Sequence, residues 1–166
     1  MATTLLIVAS VVSAVLVINS VYPAIVRSGN SLSRVGAKLD ERIESQIKAV
    51  YATAELDEDG VWQDANSNSD FDVDIWVKNI GVSRILGVDQ TDIFFGVNGD
   101  FQRVPHTSDA GGTYPRWSHS LENGTDWTPS VTVKITILYD SSLTSDEYFV
   151  KVISPAGASD EHYFSF

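Results

Sequence analysis

The fold turns on the opening stretch, Met1-Ala-Thr-Thr-Leu5-Leu-Ile-Val-Ala-Ser10-Val-Val-Ser-Ala-Val15-Leu-Val-Ile-Asn-Ser20-Val-Tyr-Pro23-Ala-Ile-Val26, which holds no charged side chain; the first charge is Arg27. A helix that is apolar on every face is covered either by lipid or by other protein. Residues 5–26 are long enough for a membrane anchor, interrupted only by Ser10, Ser13, Asn19, Ser20 and Pro23. Ala9, Ser10, Ser13 and Ala14 are small enough for close helix–helix approach, as in an assembly of copies. A secretory signal peptide fits poorly, because no Lys or Arg precedes the apolar run.

Downstream, Leu32, Val35, Leu39, Ile43, Ile47 and Val50 recur in steps of three and four, one stripe on a helix. The expectation is a single rod from about residue 2 to about residue 52. It would be ~75 Å long at 1.5 Å per residue, too long to be hidden by an 18.1 kDa chain. Pro23 removes one helical hydrogen bond, and Gly29 and Gly36 loosen the rod.

From Tyr51 the periodicity changes to two. Asp72-Val-Asp-Ile-Trp-Val-Lys78 and Val131-Thr-Val-Lys-Ile-Thr-Ile-Leu-Tyr139 alternate between apolar and polar residues. Tyr148–Ile153 and His162–Phe166 are further strand candidates, and Asp92–Val97 and Phe101–Val104 flank Asn98-Gly99, a hairpin signal. Ser154-Pro-Ala-Gly157 reads as a turn. Seven or so short strands without a second helical pattern predict an immunoglobulin-like antiparallel β-sandwich. The expected class is therefore α+β, with residues 1–51 as a hydrophobic-then-amphipathic helix and residues 52–166 as the sandwich.

The 166 residues carry 11 basic and 22 acidic side chains, and residues 51–166 alone hold six basic against 19 acidic. That balance argues against nucleic-acid binding. Without cysteine there is no disulfide scaffold, thiol chemistry or iron–sulfur site. His106, His119 and His162 form no local metal or triad pattern, and no nucleophile elbow, phosphate loop or dinucleotide fingerprint occurs. No catalysis and no cofactor are expected. Asp64, Asn66, Asn68, Asp70 and Asp72 place oxygen ligands at every second residue, like the opening of a calcium loop. The sixth position is Ser69 and the twelfth is Ile75, so this is no EF-hand, and a solvated Asn/Ser-rich loop is the alternative. Asn123-Gly-Thr125 fits the N-glycosylation pattern. Trp62, Trp76, Trp117 and Trp127 are read as sandwich core or rim.

An uncharged N-terminal helix followed by one acidic sandwich resembles the archaellins and archaellum-associated, type IV pilin-like proteins. Val77-Lys-Asn79-Ile-Gly81-Val-Ser-Arg-Ile85 resembles a strand-turn of that superfamily. Asp92–Gly96, Trp117, Trp127, Tyr148–Val152 and Pro155-x-Gly157 extend the similarity over nearly the whole chain. The resemblance implies a leader cut just before the apolar helix, a stay in the cytoplasmic membrane, and then assembly into an extracellular motility filament of many copies. Motor and platform proteins of the archaellum are the implied partners. Leu5 stands where adhesive pilins commonly have Glu, which favours the archaellin side.

On this reading Leu5, Leu6, Val8, Val11, Val12, Val15, Leu16 and Ile18 form the polymerisation core. Leu32, Val35, Leu39, Ile43 and Ile47 pack an outer layer of rods. Two alternatives stand beside it. One is a membrane-anchored stator or accessory protein gripping the envelope with its sandwich; the other is an adhesive pilus subunit.

Overall fold

The computed structural model describes residues 2–165, with the side chains of residues 34, 35 and 37–43 outside the description. Val35, Leu39 and Ile43 of the anticipated outer layer therefore lie outside the described residues. One helix, α1 (Ala2–Glu44), precedes eight strands: β1 (Ile47–Ala54), β2 (Phe71–Asn79), β3 (Asp92–Val97), β4 (Asp100–Val104), β5 (Arg116–Leu121), β6 (Thr132–Tyr139), β7 (Glu147–Ile153) and β8 (Ser159–Ser165). The strands form two antiparallel four-stranded sheets, ordered β1-β2-β6-β5 and β4-β3-β7-β8. The class is α+β, and the strands make an immunoglobulin-like sandwich. The chain divides into two compact units, residues 1–40 and 41–166.

Within the first unit α1 continues through Pro23. Ala2–Ser33 is long and apolar enough to cross a membrane, and its large apolar side chains lie exposed. Three of its serines turn inward on the backbone. Ser10 Oγ donates to Ile7 O (2.8 Å), Ser20 Oγ to Leu16 O (2.9 Å) and Ser31 Oγ to Arg27 O (2.9 Å). Hydroxyls satisfied within their own helix cost little in an apolar surrounding.

The helix is shorter than its periodicity suggests. It stops at Glu44, and Ile47 and Val50 belong to β1. Ile47 is thus no outer-helix residue; it is buried in the sandwich core with Ala49, Ala52 and Ala54. A register shift between Ala49 and Tyr51 leaves Val50 and Tyr51 both exposed. That irregularity lets a strand imitate helical spacing. The true start of the sandwich is residue 47.

The core follows from the alternation in β2 and β6. Val73, Ile75 and Val77 lie opposite Ile137, Ile135 and Val133, all fully buried. They meet Ile93, Phe95, Tyr148, Val150 and Val152 in the same cluster, with Phe95 and Tyr148 stacked at 5.5 Å. Each such side chain contributes ~1.5–3 kcal/mol on burial. Trp62, Trp117 and Trp127 are buried with them. On the outer faces, cross-strand ion pairs such as Lys134–Asp74 (2.8 Å) and Lys151–Glu161 (2.6 Å) contribute little. Asp160 of β8 ties the two sheets together at one edge. It accepts from Ala49 N (2.8 Å) and pairs with Lys48 (3.2 Å), occupying a free N–H of edge strand β1.

Gly96 of β3 lies between Phe101 and Phe149 in register, and Phe149 lies beside Tyr163. The rings of Phe101 and Phe149 are 4.7 Å apart, and those of Phe149 and Tyr163 are 5.0 Å apart. A Cβ on Gly96 would stand 2.7 Å from Phe101 Cα, against backbone that yields little. Gly96→Ala is expected to cost ~1–3 kcal/mol through overpacking, read as a lower urea midpoint with an unchanged slope.

Candidate functional site

The most specific polar construction in the sandwich lies where the chain passes from α1 into β1. Asn79, the last residue of β2, is 0% exposed. Its Nδ2 donates to Ser83 O (2.9 Å) and Trp127 O (2.9 Å), while its Oδ1 accepts from Gly81 N (2.9 Å). Its backbone N donates to Val131 O (3.0 Å), and its carbonyl accepts from Ser130 N (2.8 Å). A buried amide whose capacity is met in this way fixes local geometry, because any shift strands several partners at once.

The loop held by Asn79 in turn completes the end of the helix. The carbonyls of a last helical turn lack intrahelical partners. Glu44 O accepts from Val82 N (2.8 Å) and Ser83 N (3.2 Å), and Gln46 O accepts from Ile80 N (2.9 Å) and Gly81 N (3.0 Å). Ser83 Oγ donates to Glu44 Oε2 (3.0 Å). Only glycine fits at position 81: a Cβ there would overlap Glu44 O and stand 2.5 Å from Gln46 N. Ile85 then returns to the core and bridges to Trp127. The Asn79-x-Gly81 spacing, read as a tight turn after a strand, thus clamps the start of β1.

Strand directions sort the charges. The loops at the end where α1 enters are 80–91, 122–131 and 154–158; they contain Arg84, Asp89, Glu122 and Asp126. The loops at the opposite end, 55–70 and 140–146, contain Glu55, Asp57, Glu58, Asp59, Asp64, Asp70, Asp140 and Asp146, with no Lys or Arg. The excess of acid is therefore concentrated at the end of the sandwich opposite residues 44–47.

The five residues read as calcium ligands sit at that acidic end. Asp64 accepts from Asn68 N and Ser69 N, while Asn66 Nδ2 and Asn68 Nδ2 donate to Asp72 Oδ2 (2.8 and 3.1 Å). Asp70 turns away to Tyr114 Oη and to Arg116 (3.5 Å). Among the described residues, no group of three or more His, Cys, Asp or Glu is arranged to hold a metal ion. Asp72 is only 6% exposed, so burial raises its pKa, as do Asp74 and Asp70 nearby, against the amides of Asn66 and Asn68. Burial also raises the Glu55 pKa, and neighbouring Asp72 and Asp64 add to the effect.

Other candidates disperse. The polymerisation-core residues Leu5, Leu6, Val8, Val11, Val12, Val15, Leu16 and Ile18 are all exposed along α1, as is Leu32. Asn123 is exposed; its Oδ1 accepts from Thr132 N (2.8 Å) and its Nδ2 faces Ser130 O (3.4 Å). His106 and His119, 13 positions apart, come together with ring centroids 5.6 Å apart beside Trp117. No local spacing reveals that pair, because strand β5 and the bridge from His106 to Trp117 create it.

A profile of archaeal-type flagellins matches residues 1–164. The chain belongs to the archaeal-type flagellin family. An uncharacterized protein of Archaeoglobus fulgidus is 26% identical over 98% of the chain and 95% of its own length. Among solved structures, the archaellum periplasmic stator protein FlaG from Sulfolobus acidocaldarius is similar, with 26% identity and a TM-score of 0.56. The match covers 72% of this chain and 99% of that one. The archaellum periplasmic stator protein complex FlaF and FlaG from the same organism matches with 26% identity and a TM-score of 0.54, covering 72% and 88%. The chain is thus an archaellum-related protein, and the superfamily suggested by the Val77–Ile85 strand-turn is the right one.

Two measurements test the site. Asn79→Ala leaves Ser83 O, Trp127 O and Gly81 N without their partner and is expected to cost ~3 kcal/mol. Chemical denaturation should show it, while an exposed Asn98→Ala change should barely register. The second concerns pH. Burial first, then neighbouring His106, lowers the His119 pKa below 6.5. The folded state favours neutral His119, so its stabilisation is complete above pH 6.5 and is lost as pH falls through 6.5 toward the folded value. The stability difference between the native chain and His119→Phe should shrink or reverse on acidification across that window.

Proposed function

We propose that this chain is a membrane-anchored accessory protein of an archaellum, a stator-type component. Residues 2–33 cross the cytoplasmic membrane and the sandwich stands outside it. The observation that carries the reading is the match to FlaG, which covers 72% of this chain and 99% of that stator protein, beside one helix here long enough to span a membrane. The physics agrees with it. A helix that exposes Leu5, Leu6, Val8, Val12 and Leu16 on all sides is stable alone in hydrocarbon, with Ser10 and Ser20 bonded back to its own carbonyls. The sandwich contributes an acidic body.

A second reading is favoured by a different observation. The flagellin profile includes the apolar helix itself. In that reading the chain is a filament subunit whose exposed helix packs against copies of itself, and exchange of lipid for protein neighbours requires little net desolvation.

Shearing filaments from cells and probing both fractions separates the two. The stator reading expects the chain in the membrane fraction and, by immunogold, at the filament base. Bulk recovery along the sheared filaments would overturn it in favour of the subunit. Val12→Asp places a charge at mid-helix, costing ~2.5–3.5 kcal/mol of insertion. It is expected to release the protein from membranes while the sandwich melts normally.

A further inference from the structure

We propose that His106 and His119 form an acid-operated latch on the sandwich: as neutral rings they let segment 105–110 lie closed against edge strand β5, and a proton on each ring drives that segment off the edge. The inference does not depend on which archaellum role the chain plays. It extends the pH dependence of His119 from overall stability to one local opening.

Strand β5 ends one sheet and β4 ends the other. The connection between them begins by pairing with β5. Trp117 N donates to Pro105 O (3.0 Å) and Thr107 N donates to Trp117 O (2.8 Å), which makes a parallel bridge between His106 and Trp117. The pairing uses backbone groups that an edge strand otherwise leaves open. Around it three rings meet. The His106 ring lies 4.5 Å from Trp117 and 5.6 Å from His119, and Trp117 lies 6.0 Å from His119.

The closed arrangement is built around neutral imidazoles. His106 Nδ1 accepts from Ser108 N (3.2 Å), and its carbonyl accepts from Asp109 N (2.9 Å) and Ala110 N (3.0 Å). A backbone amide can only donate, so an Nδ1 that receives it carries no proton of its own. His119 is opposite the buried Ile135 in register, and its Nδ1 is buried without a hydrogen-bond partner. Burial, then His106, lowers its pKa, against an opposing effect of Asp89.

The charged groups facing the pair come one to each ring. Asp89, in the short turn at residues 88–90, acts on His119. Asp109 accepts from Ser108 Oγ (3.1 Å), beside His106. The neighbouring inward residues of β6 and β4 are Ile135, Ile137 and Val104, all buried and apolar. With a proton on each ring, the Ser108 amide would face an N–H, and two cations would share a partly apolar edge with little screening. Moving segment 105–110 outward relieves both costs and uncovers the backbone of Trp117.

Opening is read from a thiol at Ala110, which is 7% exposed in the closed segment; the native chain has no cysteine. Full-length Ala110→Cys in phosphatidylcholine nanodiscs is reacted with an acid-tolerant aromatic disulfide. Its rate is divided by that of the exposed Ser142→Cys at the same pH, which cancels thiol ionisation. The ratio is expected to rise several-fold from about pH 7.5 to about pH 5, a window that crosses the ordinary histidine value, while the β-sheet circular dichroism stays unchanged. In the native chain, amide protection at Thr107 and Trp117, corrected for intrinsic exchange, should fall several-fold over the same window. Adding His106→Gln or His119→Gln, neutral at every pH, should hold the ratio at its neutral-pH value.

A ratio and an amide protection that both stay flat would overturn the latch. An equal rise in the two histidine variants would assign the opening to Asp89 or Asp109 and refute the histidines. A rise that comes only with loss of the β-sheet signal would show global unfolding and refute a local device.

Discussion

The constraint on which everything else depends is the uncovered apolar surface of residues 2–33. Folding ordinarily hides such side chains within the chain that carries them. This chain hides its sandwich residues well and leaves Leu5 through Val26 exposed along the helix. Water is a poor surrounding for that surface, so the molecule is complete only with lipid or other protein around it. Ser10, Ser20 and Ser31 reinforce the point: their hydroxyls are spent on the helix's own carbonyls, which suits a medium offering no hydrogen bonds.

The residues that lead into β1 are fixed by the sandwich itself. Glu44 and Gln46 are held by backbone amides of the loop that Asn79 organises. Asn79 is in turn braced by Trp127 and Val131 from the strand connection on its other side. The start of β1 is therefore fixed mainly by backbone hydrogen bonds around one buried amide and one glycine, with the Ser83–Glu44 side-chain bond beside them. This gives the Val77–Ile85 motif a physical meaning. The strand supplies core residues, Asn79 and Gly81 supply the clamp, and Ile85 returns the chain to the core.

Much of the architecture was legible in the sequence, and the exceptions have physical causes. The alternation of β2 and β6 and the Asn98-Gly99 hairpin declare themselves, because their apolar residues face one side with period two. Strand β1 was masked by a stripe that steps by three and four. Ile47 and Val50 continue it only because the register shift near Val50 breaks the alternation, and three of the inward positions, Ala49, Ala52 and Ala54, are small alanines. Strand β5, Arg-Trp-Ser-His-Ser-Leu, was missed because only Trp117 along it is both apolar and fully buried. Of the functional features, the Asn-x-Gly turn was visible. The pairing of His106 with His119 and the gathering of carboxylates at one end were not, since both arise from strand direction and not from local spacing.

The surroundings of the helix can be measured directly by scanning single nitroxide labels through residues 5–26 of the full chain in native-like bilayers and recording their accessibility to oxygen. The account predicts high accessibility at every position around the helix, varying smoothly with depth. Uniformly low accessibility, or a 3.6-residue alternation between protected and open positions in the working assembly, would show that protein and not lipid covers this surface and would contradict it.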